Sequence, residues 1–178
     1  FHCVYMSEED IDIFRRRKLC AVLNPASNLK LASGIAPVTR FLSEGIDLAI
    51  GTDGAASNNA LDFFREMYLV TALADASVCD ANRVLEMACV GGAKAMGLTD
   101  CDCIATGKKA DMTVINLHRP NMHPLNNISK NIVYAGSKEN VRLTMVNGKV
   151  LYENGEFFIG EDAGKLYAEA DKISEALR

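Results

Sequence analysis

The sequence has no tryptophan, only three histidines and four prolines, and no excess of positive charge. Each shortage excludes something. Nineteen Lys and Arg against 23 Asp and Glu leave a net charge of −4, so there is no basic footprint for a phosphate backbone, and nucleic acid is not an expected partner. No apolar run approaches the roughly 18 residues that a membrane span needs. No charged-then-apolar leader opens the chain either, so neither a membrane partner nor a signal peptide is expected. Internal repeats and low-complexity tracts are missing as well.

Cysteine is not scarce, but its pattern excludes a disulfide framework. The six residues Cys3, Cys20, Cys79, Cys89, Cys101 and Cys103 follow no such spacing, and several sit in apolar runs. They read as reduced thiols of a cytoplasmic protein. Cys101 and Cys103 form a C-x-C pair with no second pair to complete a zinc knuckle. What remains is an ordinary globular balance, 49% apolar and 24% charged over 178 residues, enough for one domain or slightly more.

The chain opens on Phe1 inside "FHCVYM", which reads as a strand already under way, as in a chain cut at its start. Ser7 and Asp10 then form a capping box, and "EEDIDIFRRRK" continues as a helix with acids first and bases last. "LCAVL" reads as a buried parallel strand, "NPASNLKLASG" as a loop, "APVTRFLSEG" as a helix and "IDLAIGTD" as a second buried strand. "NALDFFREMYLVTALADA" has Leu61, Phe64, Met67, Tyr68 and Ala72 at helical spacing, and "NRVLEMACVGGAKAMG" follows as another helix. Alternating strands and helices over residues 1–98 imply parallel strands joined by crossovers.

After Leu98 the pattern changes. "KADMTVINL", "NIVYAG" and "VRLTMVNGKVLYENGEFF" are short β-branched stretches between Gly and Asn turns, and "VNGKV" carries the Asn-Gly of a tight hairpin. Residues 99–158 therefore read as a small antiparallel β unit. The tail, 159–178, reads as a charged amphipathic helix with Leu166, Ala170, Ile173 and Leu177 on one face.

In parallel α/β folds, functional groups gather at the carboxyl ends of strands. Three such ends carry polar residues: His2, the stretch Asn24–Asn28, and Asp53 in "LAIGTDGAASNN". A carboxylate and an imidazole at neighbouring strand ends can form half of a metal or acid–base site. The residues alone leave alternatives open. Asp53 also suits a turn, His2 suits a core or surface position, and Asn58 and Asn59 can cap the helix that follows. His118 and His123, in "NLHRPNMHP", read as loop residues.

Four motifs, "HCVYMSEEDI", "NPASNLKLASGIAPV", "GTDGAASNNALDFFREM" and "GKKADMTVINL", together resemble the C-terminal part of the metal-dependent amidohydrolase superfamily. The closest likeness is to its branch of 5-methylthioadenosine/S-adenosylhomocysteine deaminases and related chlorohydrolases. The resemblance implies an α/β fold comprising the last three βα units of a (β/α)8 TIM-like barrel, a piece of a small β-sandwich and a C-terminal helix. It implies one divalent metal, zinc first and iron as the alternative. It makes Asp53 a metal ligand, a substrate-contacting residue and the group that moves a proton from water toward departing ammonia. It makes His2 the second catalytic residue, orienting that water or the leaving group. Asn28 and Asn58 would support the loops at the barrel mouth.

The branch's H-x-H pair and strand-five histidine have no match here, so the remaining ligands are not expected in this chain. Leu23 stands where a histidine is common before "NPASN", and Tyr5 where another is common after "HCV". The resulting expectation is part of an aminohydrolase that deaminates an aminated purine nucleoside or related N-heterocycle, a small-molecule substrate, with this chain alone inactive. Two alternatives stand beside it: a non-catalytic half-barrel that associates with itself or a complementary piece, and a triazine-type chlorohydrolase.

Overall fold

The computed structural model describes residues 1–177, and its first regular element is the one with the strongest local signal. Helix α1 (Glu8–Arg17) starts on the capping box: the Asp10 N–H donates to Ser7 Oγ at 3.2 Å, and the Ser7 N–H to Asp10 Oδ2 at 2.8 Å. The chain leaves α1 through Lys18 at φ 52° and enters strand β1 (Cys20–Leu23). Strand β2 (Asp47–Ile50) pairs with β1 in parallel, Cys20 opposite Asp47 and Leu23 opposite Ile50. Ala21 and Leu23 bury one face of β1, with Cys20 and Val22 half-buried on the other, whereas Leu48, Ala49 and Ile50 of β2 are buried on both.

Three readings of this region need correction. Phe1–Met6 is not a strand. His2 (φ 65°) and Cys3 (φ 51°) are left-handed, and a single bond from the His2 N–H to Val22 O, 2.9 Å, lays the segment beside β1. The stretch expected as a loop after β1 contains helix α2 (Pro25–Lys30). Proline is favoured at a helix's first position, where no N–H is needed and φ is already set, so Pro25 starts an element instead of ending one. Asn58 and Asn59 cap nothing; helix α4 (Phe63–Leu73) is capped by Asp62, which accepts from the Phe64 N–H at 3.0 Å.

Helix α3 (Val38–Ser43) lies between α2 and β2, and its Phe41 is fully buried. The inward stripe of α4 is Phe64, Glu66, Met67 and Val70, whereas Leu61 precedes the helix and Tyr68 and Ala72 face outward. The long helix expected from "NRVLEMACVGGAKAMG" is interrupted. Helix α5 (Ala81–Glu86), capped by Asp80, widens into a π-turn at Met87–Gly91 before helix α6 (Gly92–Ala95). That turn brings Gly91 against the backbone of β2, where a Cβ would stand 2.1 Å from Leu48 O.

Beyond Leu98, strands β3 (Met112–Ile115), β4 (Val141–Val146), β5 (Lys149–Glu153) and β6 (Glu156–Phe157) form one antiparallel sheet in that order. Asn147 and Gly148, φ 49° and 78°, make the β4–β5 hairpin, as expected of Asn-Gly. "NIVYAG", expected as a β stretch, is helix α7 (Ile128–Ala135). Asn127 caps it by accepting from the Lys130 N–H at 2.9 Å, and Val133 is buried in the core formed by the first half of the chain. Packing against that core outweighs the strand preference of its β-branched residues. Helix α8 (Ala163–Ala176) closes the described chain with none of its residues buried.

Candidate active site

The site is assembled where β1 and β2 end, and two consecutive residues of α2 hold its two reactive side chains. Ser27 Oγ donates to Asp53 Oδ2 at 2.5 Å. Asn28 Oδ1 lies 2.8 Å from His2 Nδ1. An amide oxygen can only accept, so Nδ1 is the donor in this pair. Nε2 points at Asp53 Oδ2, 3.9 Å away, with 43% of the His2 side chain and 31% of the Asp53 side chain exposed. Both residues open on a cleft of about 550 Å³ that Phe1, Tyr5 and Leu31 also line.

Asp53 stands three residues past β2, with φ 61°. Its carboxylate accepts three bonds: from Ser27, from Ser57 Oγ at 2.7 Å to Oδ2, and from the Gly54 N–H at 2.8 Å to Oδ1. These donors, Ser27 first, then Ser57 and Gly54, with His2 adding less, pull the carboxyl down to about 2 from an ordinary 3.8. The low value means that the folded site favours the ionised form. Its contribution to stability is therefore complete above the ordinary carboxylate value and is lost as pH falls through about 2. In a carbon-detected NMR titration of Asp53 the midpoint is expected near 2. Ser27→Ala is expected to move it up toward 3.8. An unchanged midpoint would remove Ser27 as the main cause.

Beneath Asp53 is a buried polar layer. Asn58, 2% exposed, donates through Nδ2 to Thr52 O at 2.8 Å and to Glu66 Oε1 at 2.6 Å. Glu66 is wholly buried and takes the Ala26 N–H on Oε2 at 3.0 Å. Arg65 donates to Asn58 Oδ1. Burial pushes the Glu66 carboxyl up, and the Ala26 N–H, Asn58 and Arg65 oppose that push. Sequence reasoning overlooked Ser27, Ser57 and Glu66. Only Glu66 leaves a signal, as a glutamate on the apolar stripe of α4.

His2, Asn28 and Asp53 are brought together, and Asn58 lies directly below them. His118 and His123 lie outside this group, in the segment between β3 and α7. A carboxylate beside an imidazole suits a borderline divalent cation such as zinc. Among the described residues no three His, Cys, Asp or Glu side chains gather into a metal cluster. The donors present fit one part of a four-coordinate centre and do not complete one.

A carboxylate just past the end of a parallel strand and an imidazole from the segment beside it share one cleft. The chain belongs to the amidohydrolase family, whose pattern it matches over residues 1–151. It is 40% identical to the 5'-deoxyadenosine deaminase of Methanosarcina mazei, over 99% of this chain and 41% of that protein. It is also 40% identical to the 5-methylthioadenosine/S-adenosylhomocysteine deaminase of Caldanaerobacter subterraneus, over 99% of this chain and 42% of that protein. Among solved structures, the zinc-bound adenosine deaminase of Xanthomonas campestris superposes with a TM-score of 0.94 at 35% identity, covering 99% of this chain and 42% of that one. A zinc complex of atrazine chlorohydrolase from Arthrobacter aurescens superposes at 0.84 over 96% of this chain and 39% of that one, and at 24% identity shares the fold alone. The chain thus spans about two fifths of the length of the relatives it matches.

Proposed function

We propose that this chain carries part of the active site of a hydrolytic deaminase acting on 6-aminopurine nucleosides with a modified 5' position. The observation that carries the reading is the Asp53 carboxylate, held ionised by Ser27, Ser57 and Gly54 and faced across the cleft by His2 Nε2. Nucleoside deaminases among the relatives, matched along nearly the whole chain, support the substrate class. The reaction replaces the ring amino group with an oxygen from water and releases ammonia.

When bound, a divalent cation, zinc before iron, supplies an acidified water at neutral pH. Asp53 is the ligand that this chain gives it. A carboxyl held near 2 stays ionised for that role at any working pH and carries a proton only in transit, from the attacking water to the departing amine. His2, fixed through Asn28, presents Nε2 to the leaving nitrogen and holds it in line. The remaining ligands come from outside these 178 residues, so the isolated chain neither retains metal nor turns over substrate. Its position as the last three βα units of a barrel, with 99–158 as part of a composite sandwich and 159–178 as a closing helix, follows from the same reading. The free thiols of all six cysteines suit a reducing, cytoplasmic setting.

The test is ammonia release from 5'-deoxyadenosine, methylthioadenosine and S-adenosylhomocysteine by the intact protein that carries this chain, beside the chain alone. Turnover by the intact protein only is the expected result. No turnover of any 6-aminopurine nucleoside by the zinc-loaded protein would overturn the reading. The isolated polypeptide also leaves Phe1 (86%) and Tyr5 (89%) exposed beside a two-stranded sheet with open edges. Association with itself or with a complementary piece is therefore expected of it, read out as mass in solution.

A further inference from the structure

The site depends on two segments far apart in sequence. One is the first turn of α2, which supplies Ser27 and Asn28; the other is the stretch 52–58, which supplies Asp53 and Ser57. Backbone pairing does not join them. Lys30 reaches from the end of α2 to Asn59 at the surface. Ser27 Oγ joins them directly at Asp53 Oδ2, and beneath that bond the wholly buried Glu66 bridges them again, one oxygen on the Ala26 N–H and the other on the Asn58 amide.

We propose that Glu66 is a positioning residue for the Asp53 site: its carboxylate locks the two segments in register so that the Ser27 hydroxyl reaches the Asp53 oxygen to which Ser57 also donates. This rests on the reading above in taking Asp53 as a metal ligand.

The chemistry explains why the position holds a carboxylate. Both Glu66 oxygens act as acceptors, a pattern that an ionised carboxylate satisfies and an amide cannot. Glu66 also sets the direction of the layer. Because it accepts from Asn58 Nδ2, Asn58 turns Oδ1 toward Arg65, and Nδ2 is shared with the Thr52 carbonyl next to Asp53. Glutamine in its place would set an NH2 group against either the Ala26 N–H or the Asn58 amide. If Asn58 flipped to accommodate it, its NH2 would meet the Arg65 guanidinium and Thr52 O would lose its donor. Either way one of the two segments is released. Buried polar networks of this kind are costly when only partly satisfied, which gives the arrangement its rigidity. Groups that orient a metal ligand in this indirect way typically matter by about 10–100-fold in metal affinity or activity.

The experiment is a double-mutant cycle on the intact protein, read by zinc affinity in competition with a chromogenic chelator and by kcat and KM on 5'-deoxyadenosine. Glu66→Gln is expected to weaken zinc binding about 10–100-fold and to lower kcat by a similar factor, with KM within about threefold. In a Ser27→Ala/Ser57→Ala background the same change should alter zinc affinity less than about twofold, because the bonds through which Glu66 acts are already gone. Equal losses in both backgrounds, or none in the first, would overturn the proposal and leave Glu66 with general stability only. If Glu66→Gln does not fold, Asn58→Ser probes the same layer in the same cycle with the same two outcomes. A parent protein that binds zinc yet deaminates no nucleoside would sink the functional reading while the zinc cycle still decides on Glu66. A parent that binds no zinc overturns both.

Discussion

Asp53→Asn in the intact protein is expected to abolish measurable deamination, a fall of at least about 10²–10⁴-fold if only the proton-moving role is lost. The change is nearly isosteric. The Gly54 N–H can still donate to the amide oxygen, and a serine hydroxyl can turn to accept from the new NH2 group. What disappears is the negative charge and the second acceptor, and with them the attraction for a cation. Measuring zinc content beside kcat separates the two roles. Loss of both identifies Asp53 as a ligand. Zinc retained with kcat lost identifies it as a proton carrier only. Retention of both would refute the assignment. The pH profile adds an independent reading: with the Asp53 carboxyl held at about 2, no acidic limb between pH 4 and 7 can come from it, and such a limb would have to be traced to another group.

Gly91→Val is expected to be among the most destabilising single changes in the chain. The π-turn presses this residue onto β2, where a side chain's first atom would stand 2.1 Å from Leu48 O and 3.3 Å from Ala49 Cα. Both neighbours are backbone atoms of a buried strand, so neither can move aside as a flexible side chain would. The helix must lift from the sheet, opening the contacts of Met87 and Val84 with the core. Overpacking of buried sites costs about 1–3 kcal/mol and occasionally more, and a backbone clash belongs at the upper end. Urea unfolding of Gly91→Val beside Gly92→Val, where nothing lies within 4 Å of the added atom, makes the comparison. Similar midpoints for the two would show that the turn does not bear on β2 as described.

Several elements were legible because their causes are local. The Ser7–Asp10 box, the buried strands CAVL and DLAI, the Asn147–Gly148 hairpin and the closing helix each follow from a few neighbouring residues. The departures share the opposite property. Ile128–Ala135 is β-branched enough to suggest a strand but is a helix because Val133 finds a core built by residues far earlier in the chain. Pro25 suggested a loop and instead opens α2, whose N-terminal Ala26 N–H is met by a carboxylate 40 residues away. Phe1–Met6 suggested a strand, but in the described chain it has one backbone bond to β1 and two left-handed residues.

The same division holds at the site. The sequence by itself singled out two residues, an aspartate ending an apolar run and a histidine spaced as the family spaces it, and the structure brings them to one cleft. Only the tertiary structure decided how Asp53 is held. Ser27 and Glu66 are ordinary residues until α2 folds across the end of β2, because hydrogen bonds between segments 26 to 40 residues apart leave no periodicity to read.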